Sequence, residues 1–170
     1  MAGKTATEQD RVVQEIEIAA PPERVFQALV EQDQLHVWWG AEPSVELSSF
    51  EMDARVGGRW GFECTPRAGH SHGEVGEQMR KSGANAFLAH GEILELERPR
   101  LLAYTWYANW HADAKRKTVV RWELERTKGG TRVRVTHSGL AQEAAARKDY
   151  SSGWVGVLGQ LKNYMESRKV

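Results

Sequence analysis

The chain has 170 residues, which corresponds to one domain at the usual size of about 100–200 residues per domain. Its 23 Lys and Arg residues balance 23 Asp and Glu residues, so no net field favours nucleic acid or anionic lipid as a partner. A single cysteine, Cys64, excludes an intramolecular disulfide and a multi-cysteine zinc site. The polar N-terminus predicts no signal peptide, and no apolar run approaches the about 18 residues of a membrane span, so we expect a cytoplasmic protein.

The N-terminal third predicts one strand and two short helices. Residues 1–10 are polar and are expected to fray, which leaves 11–170 as a single domain. Arg11–Ile18 alternates apolar and polar residues, as a half-buried strand does. Pro21 and Pro22 end that strand and favour a helix start. Apolar residues then recur at helical spacing, and a second short helix is expected to end at Trp38-Trp39-Gly40.

The middle of the chain predicts a meander of antiparallel strands. The expected strands are Val45–Met52, Arg59–Glu63, Phe87–Leu96, Leu101–Tyr107, Thr118–Arg126 and Thr131–His137. The glycine pairs at 57–58 and 129–130 predict tight turns, because glycine adopts positive φ without steric cost. The segment Thr65–Ala86 is rich in Gly, His and charge, and is predicted to be a long hairpin tip or mobile loop.

The C-terminal segment Ala144–Arg168 has helical spacing. Its apolar stripe contains Trp154, Leu158, Leu161 and Met165. Glycines at 153, 156 and 159 each weaken such a helix by about 1 kcal/mol relative to alanine, so we expect the helix backbone to pack closely against a sheet. Only this helix is long enough to cover the sheet. The sequence therefore predicts an α+β fold with a curved antiparallel sheet around a C-terminal helix, and a pocket between them.

Tryptophan is the unusual feature of the composition, with seven among only 15 aromatic residues. Its large ring and single N–H donor suit cavity walls that need both an apolar surface and a polar group. The candidate ligand-binding residues of this kind are Trp38, Trp39, Trp60, Tyr104, Trp106, Trp122, Trp154, Leu158 and Leu161. A solid core is the alternative interpretation of the same residues.

Two histidines are candidates for polar groups in such a cavity. His137 ends an alternating strand whose apolar positions should face the helix, and His90 and Glu92 are expected to face the same way. Burial lowers the pKa of a histidine and raises that of a carboxyl group, so such a pair suits general acid–base chemistry. Alternatively, His137 hydrogen-bonds the backbone and shapes the wall.

Other catalytic and metal motifs are weak. His70 and His72 would share one side of a strand, but only Glu74 and Cys64 are near enough to supply a third metal ligand. The sequence contains neither a Gly-x-Ser-x-Gly elbow nor a phosphate-binding glycine loop. We therefore assign no catalytic residue, no metal and no cofactor.

The turn at Asp53–Trp60 is interpreted as structural. Its two glycines permit a tight turn, and Asp53 is expected to pair with Arg55 or Arg59. This interpretation covers Asp53, Arg55 and the two glycines, whereas Trp60 remains a candidate ligand-binding residue.

Four motifs in sequence order resemble a known superfamily. They are Ala20-Pro21-Pro22-Glu23-Arg24-Val25-Phe26, Trp38-Trp39-Gly40, Asp53–Trp60, and Gly153-Trp154 followed by Leu158, Leu161 and Tyr164. From about Val12 to Arg168 the chain resembles the SRPBCC superfamily of START, polyketide cyclase and birch-pollen-allergen-like domains. Within it, the chain is similar to the bacterial group named after the activator of the 90-kDa heat-shock protein ATPase (AHSA type).

The resemblance implies a helix-grip fold. In that fold about seven antiparallel strands wrap around a long C-terminal helix, two short helices follow strand 1, and a hydrophobic cavity lies between sheet and helix. The sequence departs from the group at Thr65–Ala86, which looks longer and more His-rich than usual, and at Tyr150, where many relatives carry histidine. Both departures lie where the cavity mouth is expected.

Three functions are carried forward. The leading hypothesis is a non-enzymatic domain that binds a small apolar or aromatic ligand, oriented by His137, His90 or Tyr150. The second is a cyclase-, aromatase- or hydrolase-like enzyme with a His–carboxylate pair in the same cavity. The third is a co-chaperone-like protein-interaction module, which needs an exposed apolar patch on the outer sheet face. A monomer or a homodimer is expected, the latter through an edge strand.

Overall fold

The computed structural model describes residues 10–41 and 43–167. One curled antiparallel sheet contains seven strands in the order β1-β7-β6-β5-β4-β3-β2. The strands are β1 (Arg11–Ile18), β2 (Val45–Met52), β3 (Arg59–Pro66), β4 (Phe87–Glu97), β5 (Leu101–Ala108), β6 (Thr118–Thr127) and β7 (Gly130–Ser138). The helices are α1 (Pro22–Val30), α2 (Gln32–Trp38), α3 (Gly73–Lys81) and α4 (Ala144–Ser167), with a 3-10 turn at Trp39–Ala41. The predicted α+β helix-grip fold is confirmed; the predicted N-terminal tail lies, apart from Asp10, outside the described residues.

The apolar alternation of the strands places the core on the concave face of the sheet. Every second residue is buried on β7 and on β6 as far as Leu124, as the sequence predicts. Helix α4 lies in this concave face and buries Ala146, Tyr150, Trp154, Leu158, Leu161 and Met165. Two side chains fasten it along β1: the Gln14 amide donates to the Ser151 carbonyl (3.1 Å), and the Lys162 ammonium donates to the Glu17 carbonyl (3.0 Å).

The convex face of the sheet carries charged side chains in cross-strand pairs. Arg134 pairs with Glu15 at 2.6 Å, and Arg121 pairs with Glu95 at 3.0 Å. The exposed large apolar side chains of the described strands lie singly on β1 and β4: Val13, Leu88 and Leu94. The described part of this face therefore lacks the apolar patch that the protein-interaction hypothesis requires.

Across the part of the chain that the structure describes, the helices are too short or too polar to cross a lipid bilayer.

The segment Thr65–Ala86 differs from its prediction. Its centre is helix α3, so the prediction of a hairpin tip or mobile loop is wrong there. Val75 and Met79, four residues apart, are buried, and α3 packs beside α4. Gly73 and Gly83 take positive φ (57° and 91°) at the two ends of the helix, which explains why glycine-rich sequence surrounds it.

The Asp53–Trp60 turn is structural, as predicted. Gly57 has φ of 86°, and a Cβ on Gly58 would overlap the Asp53 carbonyl oxygen. Arg55 Nε pairs with Asp53 Oδ2 at 2.9 Å, and both side chains are exposed.

The α4 glycines contradict the prediction of close backbone packing. A Cβ added at Gly153, Gly156 or Gly159 would meet no described atom within 4 Å outside the helix's own backbone. The prediction is wrong because the buried stripe of α4 uses other residues, and these glycines lie away from it.

Candidate functional site

An open pocket of about 790 Å³ lies between α3, the first half of α4 and the inner face of the sheet. Its aromatic lining residues are Trp39, Phe62, Phe87, Trp106, Trp110, Tyr150 and Trp154. Charged residues also line it: Glu74 on α3, and Lys148 and Asp149 on α4. The pocket thus combines an aromatic wall with charged groups from the two helices that border it.

The aromatic wall is a continuous mesh of ring contacts. Trp39 packs against Phe62 with centroids 5.4 Å apart and meets Trp154 edge-on at 6.2 Å. Trp110 meets Phe87 edge-on at 5.5 Å. Contacts of this kind stabilise aromatic pairs beyond their simple burial, so this wall is held by its own packing.

Tyr150 links the pocket wall to a buried histidine. The hydroxyl of Tyr150 accepts a hydrogen bond from Trp106 Nε1 (2.9 Å) and lies 2.8 Å from His111 Nε2. Burial lowers the pKa of His111 to about 4, although the carboxylate of Glu143 opposes that shift. Burial raises the pKa of Tyr150 well above its usual value, against the effect of hydrogen bonds from Trp106 and Trp110. Both groups are therefore neutral near pH 7.

Glu143 positions the loop that carries this histidine. Its carboxylate is 1% exposed and accepts the backbone N–H groups of Ala112 (2.5 Å) and Asp113 (3.0 Å). Arg116 Nε donates to the same carboxylate at 2.8 Å. A buried carboxylate with these three donors is well satisfied, so it fixes the backbone next to His111.

His137 is a fully hydrogen-bonded core residue. The Thr118 hydroxyl donates to the Trp106 carbonyl (2.7 Å), so it accepts from His137 Nε2 (2.9 Å). Trp154 Nε1 donates to His137 Nδ1 (3.2 Å), which assigns the neutral tautomer with its proton on Nε2. Burial, together with His111, lowers the pKa of His137 well below its usual value. His137 thus reaches the backbone carbonyl of Trp106 through the Thr118 hydroxyl, which resembles the structural alternative considered for this residue.

Eleven of the twelve predicted site residues, all except His90, divide into two groups. Four line the pocket: Trp39, Trp106, Tyr150 and Trp154. Seven lie in the core and away from the pocket wall: Trp38, Trp60, Tyr104, Trp122, His137, Leu158 and Leu161. These seven side chains are buried and lie outside the lining of this pocket.

The indole N–H groups of three core tryptophans each have a hydrogen-bond acceptor. Trp38 donates to the Ala28 carbonyl at 2.8 Å and Trp60 to the Thr105 carbonyl at 2.9 Å. Trp122 donates to the Tyr104 hydroxyl, also at 2.9 Å. These tryptophans fill a solid core, the alternative that the sequence left open.

His90 points the wrong way for the predicted role. It lies on the convex, solvent-facing side of β4, where it stacks on Tyr107 with centroids 5.4 Å apart. Glu92 is exposed on the same side. The expectation that His90 and Glu92 join His137 in a cavity is wrong, because alternation along β4 puts Ala89 and Ile93 inside instead.

His70 and His72 do not lie on a strand, so the predicted shared side of a strand is absent at these two residues. His72 precedes α3 and packs edge-on against Phe87, with centroids 5.1 Å apart. Among the described residues, no group of three or more His, Cys, Asp or Glu side chains is placed to hold a metal ion.

Sequence reasoning missed Trp110, which lines the pocket, and His111, which hydrogen-bonds the pocket residue Tyr150. Both follow the last predicted position of β5 and so had no strand alternation to place them. His111 meets Tyr150 across 39 positions of sequence, a pairing that depends on tertiary structure alone. Phe62 and Phe87 had a usable signal, since both occupy inward positions of predicted strands.

Comparison with known proteins identifies related folds. The family model described as activator of Hsp90 ATPase homolog 1-like protein matches residues 19–166. No curated protein matches the chain.

Solved structures from several bacteria share this fold. A protein from Chromobacterium violaceum is 22% identical with a TM-score of 0.72, covering 92% of this chain and 98% of its own. The AHSA1-like protein from Aeromonas hydrophila is 21% identical with a TM-score of 0.68, covering 92% of each chain. The Aha1 dimer from Colwellia psychrerythraea is 19% identical with a TM-score of 0.66, covering 94% of this chain and 98% of its own.

Proposed function

This chain belongs to the family of activator of Hsp90 ATPase homolog 1-like proteins, and we propose that it binds a small, mainly apolar or aromatic molecule in the pocket between α3 and α4. The observation that carries the proposal is the pocket of about 790 Å³ with seven aromatic side chains in its wall. Ligand pockets of about 300–1,000 Å³ with a mostly apolar lining and a few polar groups are typical of small-molecule sites.

The chemistry of the lining supports an apolar body for the ligand. Burial of apolar surface contributes roughly 25 cal/mol per Å², before the cost of ordering the ligand. The aromatic wall offers that surface, whereas Glu74, Lys148 and Asp149 offer charged groups. An apolar molecule with a small polar group therefore matches the pocket better than a highly charged one.

The protonation states favour binding over proton transfer. A general acid or base works best when its pKa lies near the working pH. Burial moves the pKa of Tyr150 upward and that of His111 downward, so both move away from neutrality. Binding is accordingly proposed in preference to the enzymatic alternative.

A pair of substitutions on α4 tests the proposal. Val157 lines the pocket, whereas Val155, two residues away, is 55% exposed on the outer side of the helix. We expect Val157→Phe to fill part of the pocket and weaken binding of the neutral fluorescent probe N-phenyl-1-naphthylamine by about tenfold or more, and Val155→Phe to leave it unchanged. Probe binding that is absent in the unmodified protein, or equal in all three proteins, would contradict the proposal.

The oligomeric state is proposed as monomer or homodimer. β2 is an edge strand, and a register shift between Leu47 and Ser49 interrupts its pairing with β3. Such irregularities discourage open-ended strand pairing but leave room for one partner copy. Light scattering over a range of protein concentrations distinguishes the monomer from the homodimer.

A cytoplasmic location remains a prediction from the sequence.

A further inference from the structure

The tryptophan side of the pocket has its polar groups paired within the protein. Trp106 Nε1 donates to the Tyr150 hydroxyl at 2.9 Å, and Trp110 donates to the same hydroxyl. These two bonds use both lone pairs of that oxygen, so its proton is directed to His111 Nε2, 2.8 Å away. The indole of Trp154 donates to a core histidine. These described side chains therefore offer a ligand apolar surface and no spare hydrogen-bonding group.

His72 gives the α3 side of the pocket a different character. Its half-buried ring lines the pocket and packs edge-on against Phe87, with centroids 5.1 Å apart. Its Nε2 atom is buried and has no hydrogen-bond partner among the described residues. A buried polar atom without a partner is unfavourable, so a ligand atom that pairs with it would remove that cost.

The charges near His72 favour a neutral partner over an anion. Burial raises the pKa of Asp149 on α4, and a positive charge on His72 opposes that shift, which places the two groups near each other across the pocket. Glu74 and Asp149 contribute two carboxylates to the lining, against the ammonium of Lys148. A ligand carboxylate would be repelled by this excess of negative charge.

A hydroxyl group is the neutral partner that fits an imidazole nitrogen best. It both donates and accepts a hydrogen bond, so it pairs with His72 Nε2 whether or not that nitrogen carries the proton. A carbonyl oxygen only accepts, and it would fit one of the two tautomers.

We propose that His72 orients the ligand through a hydrogen bond between its Nε2 and a ligand hydroxyl, and that the ligand is a phenol or another hydroxylated aromatic compound. The inference rests on the proposed function, whose pocket it shares. The ring system then lies against the tryptophans, and the hydroxyl lies beside α3. His72 thereby takes the orienting role that the sequence suggested for Tyr150, whose hydroxyl is already fully paired.

Three substitutions separate this hydrogen bond from the packing of the ring. His72→Phe keeps an aromatic ring beside Phe87 but removes Nε2, whereas His72→Gln keeps a polar group that both donates and accepts. His70, two residues earlier, is exposed and lies outside the pocket lining. His70→Phe is therefore the matched control for the change of histidine to phenylalanine.

The test measures binding of 2-naphthol and 2-methylnaphthalene at pH 7.5 by displacement of N-phenyl-1-naphthylamine. The two compounds share a ring system and differ by a hydroxyl in place of a methyl group, so the ratio of their dissociation constants reports the hydroxyl contact. We expect His72→Phe to reduce the preference for 2-naphthol by about fivefold or more. His72→Gln and His70→Phe should keep it within about twofold, and 2-naphthoate should bind the unmodified protein at least about fivefold more weakly than 2-naphthol.

The possible outcomes separate this inference from the proposed function. An unchanged preference in His72→Phe, or an equal loss in His70→Phe, overturns the inference while leaving a binding pocket. Tighter binding of 2-naphthoate than of 2-naphthol also overturns it, because the polar partner would then be an anion. Failure of both naphthalene compounds in a protein that binds N-phenyl-1-naphthylamine overturns it too, and failure of all these probes overturns the proposed function as well.

Discussion

The core beneath Trp122 and the pocket beside Trp110 are neighbouring aromatic regions that differ in how completely their polar groups are paired. In the core, both ring nitrogens of His137 are hydrogen-bonded, and Trp122 donates to Tyr104. In the pocket, His72 Nε2 is buried and has no hydrogen-bond partner among the described residues.

The glycines show the same difference. Gly91, beside the core, is so tightly enclosed that a Cβ would overlap the Thr105 carbonyl, whereas Gly153 in the pocket has open space. Complete pairing and close packing specify a rigid native core, while unpaired groups and open space in a native protein call for a functional explanation. The comparison thus separates residues that stabilise the core from residues that border the proposed binding pocket.

The largest expected effect is on the core. Trp122→Ala should lower the free energy of unfolding by about 3–5 kcal/mol, because it removes a fully enclosed indole and leaves a cavity. Trp110→Ala should cost less than half as much, since one side of that ring already borders open space. Urea denaturation of both variants measures the difference, and equal losses would break the comparison.

Acid should weaken the fold through the buried histidines. Burial holds the pKa of His111 at about 4 and that of His137 well below its usual value. As pH falls below about 6.5, the unfolded chain binds protons that the folded chain excludes. Stability is therefore fully present above about pH 6.5 and is lost towards pH 4, by up to about 1.4 kcal/mol per pH unit for each histidine.

Denaturant titrations at pH 7.5, 6.0 and 5.0 measure this slope. His111→Gln should reduce the slope by one histidine's share, and His90→Gln, on the outer face, should leave it unchanged. A stability that stays constant from pH 7.5 to 5.0 would show that the buried histidines accept protons in the folded protein.

Glycine substitutions should have opposite signs in the two environments. Gly91→Ala should destabilise the protein by at least about 1–3 kcal/mol, because its Cβ would overlap Thr105 and approach Trp60 Nε1. Gly159→Ala should stabilise it by about 1 kcal/mol, since the helix gains alanine at no packing cost. Thermal unfolding of both variants gives the sign directly, and a shared sign would contradict the structure.

The smallest effect is expected on the convex face. Arg134 and Glu15 form a 2.6 Å ion pair, but both side chains are exposed to water. Glu15→Gln should change the free energy of unfolding by less than about 1 kcal/mol, and less still at 1 M salt. A larger, salt-independent loss would mean that this face contributes to the fold as much as the core does.

The fold was readable from the sequence because alternation has a fixed geometric meaning. Val120, Trp122 and Leu124 had to share one face of their strand, and the buried pattern of β6 confirms it. Helix α3 was missed because Gly69 and Gly73 suggested a loop, although Val75 and Met79 lie one helical turn apart. Local glycine content outweighed a weak periodic signal there.

The site was less readable because it depends on distances between elements. Alternation gives the side of the sheet on which His137 lies, but not whether the space beside it is filled. Four neighbouring groups fill that space in the structure: Thr118, Trp106, Trp154 and Tyr150. His111 had no periodic signal at all, since its loop is fixed by Glu143 from a distant part of the chain.

Native mass spectrometry of the protein and its Val157→Phe variant, purified in parallel without denaturant, tests the central claim that the pocket beside Trp110 holds a small molecule. We expect a discrete added mass on the unmodified protein, or one that forms on addition of N-phenyl-1-naphthylamine, and its loss in the variant. An unmodified protein that carries no added mass even with the probe present, or a variant that carries the same mass, would contradict the claim.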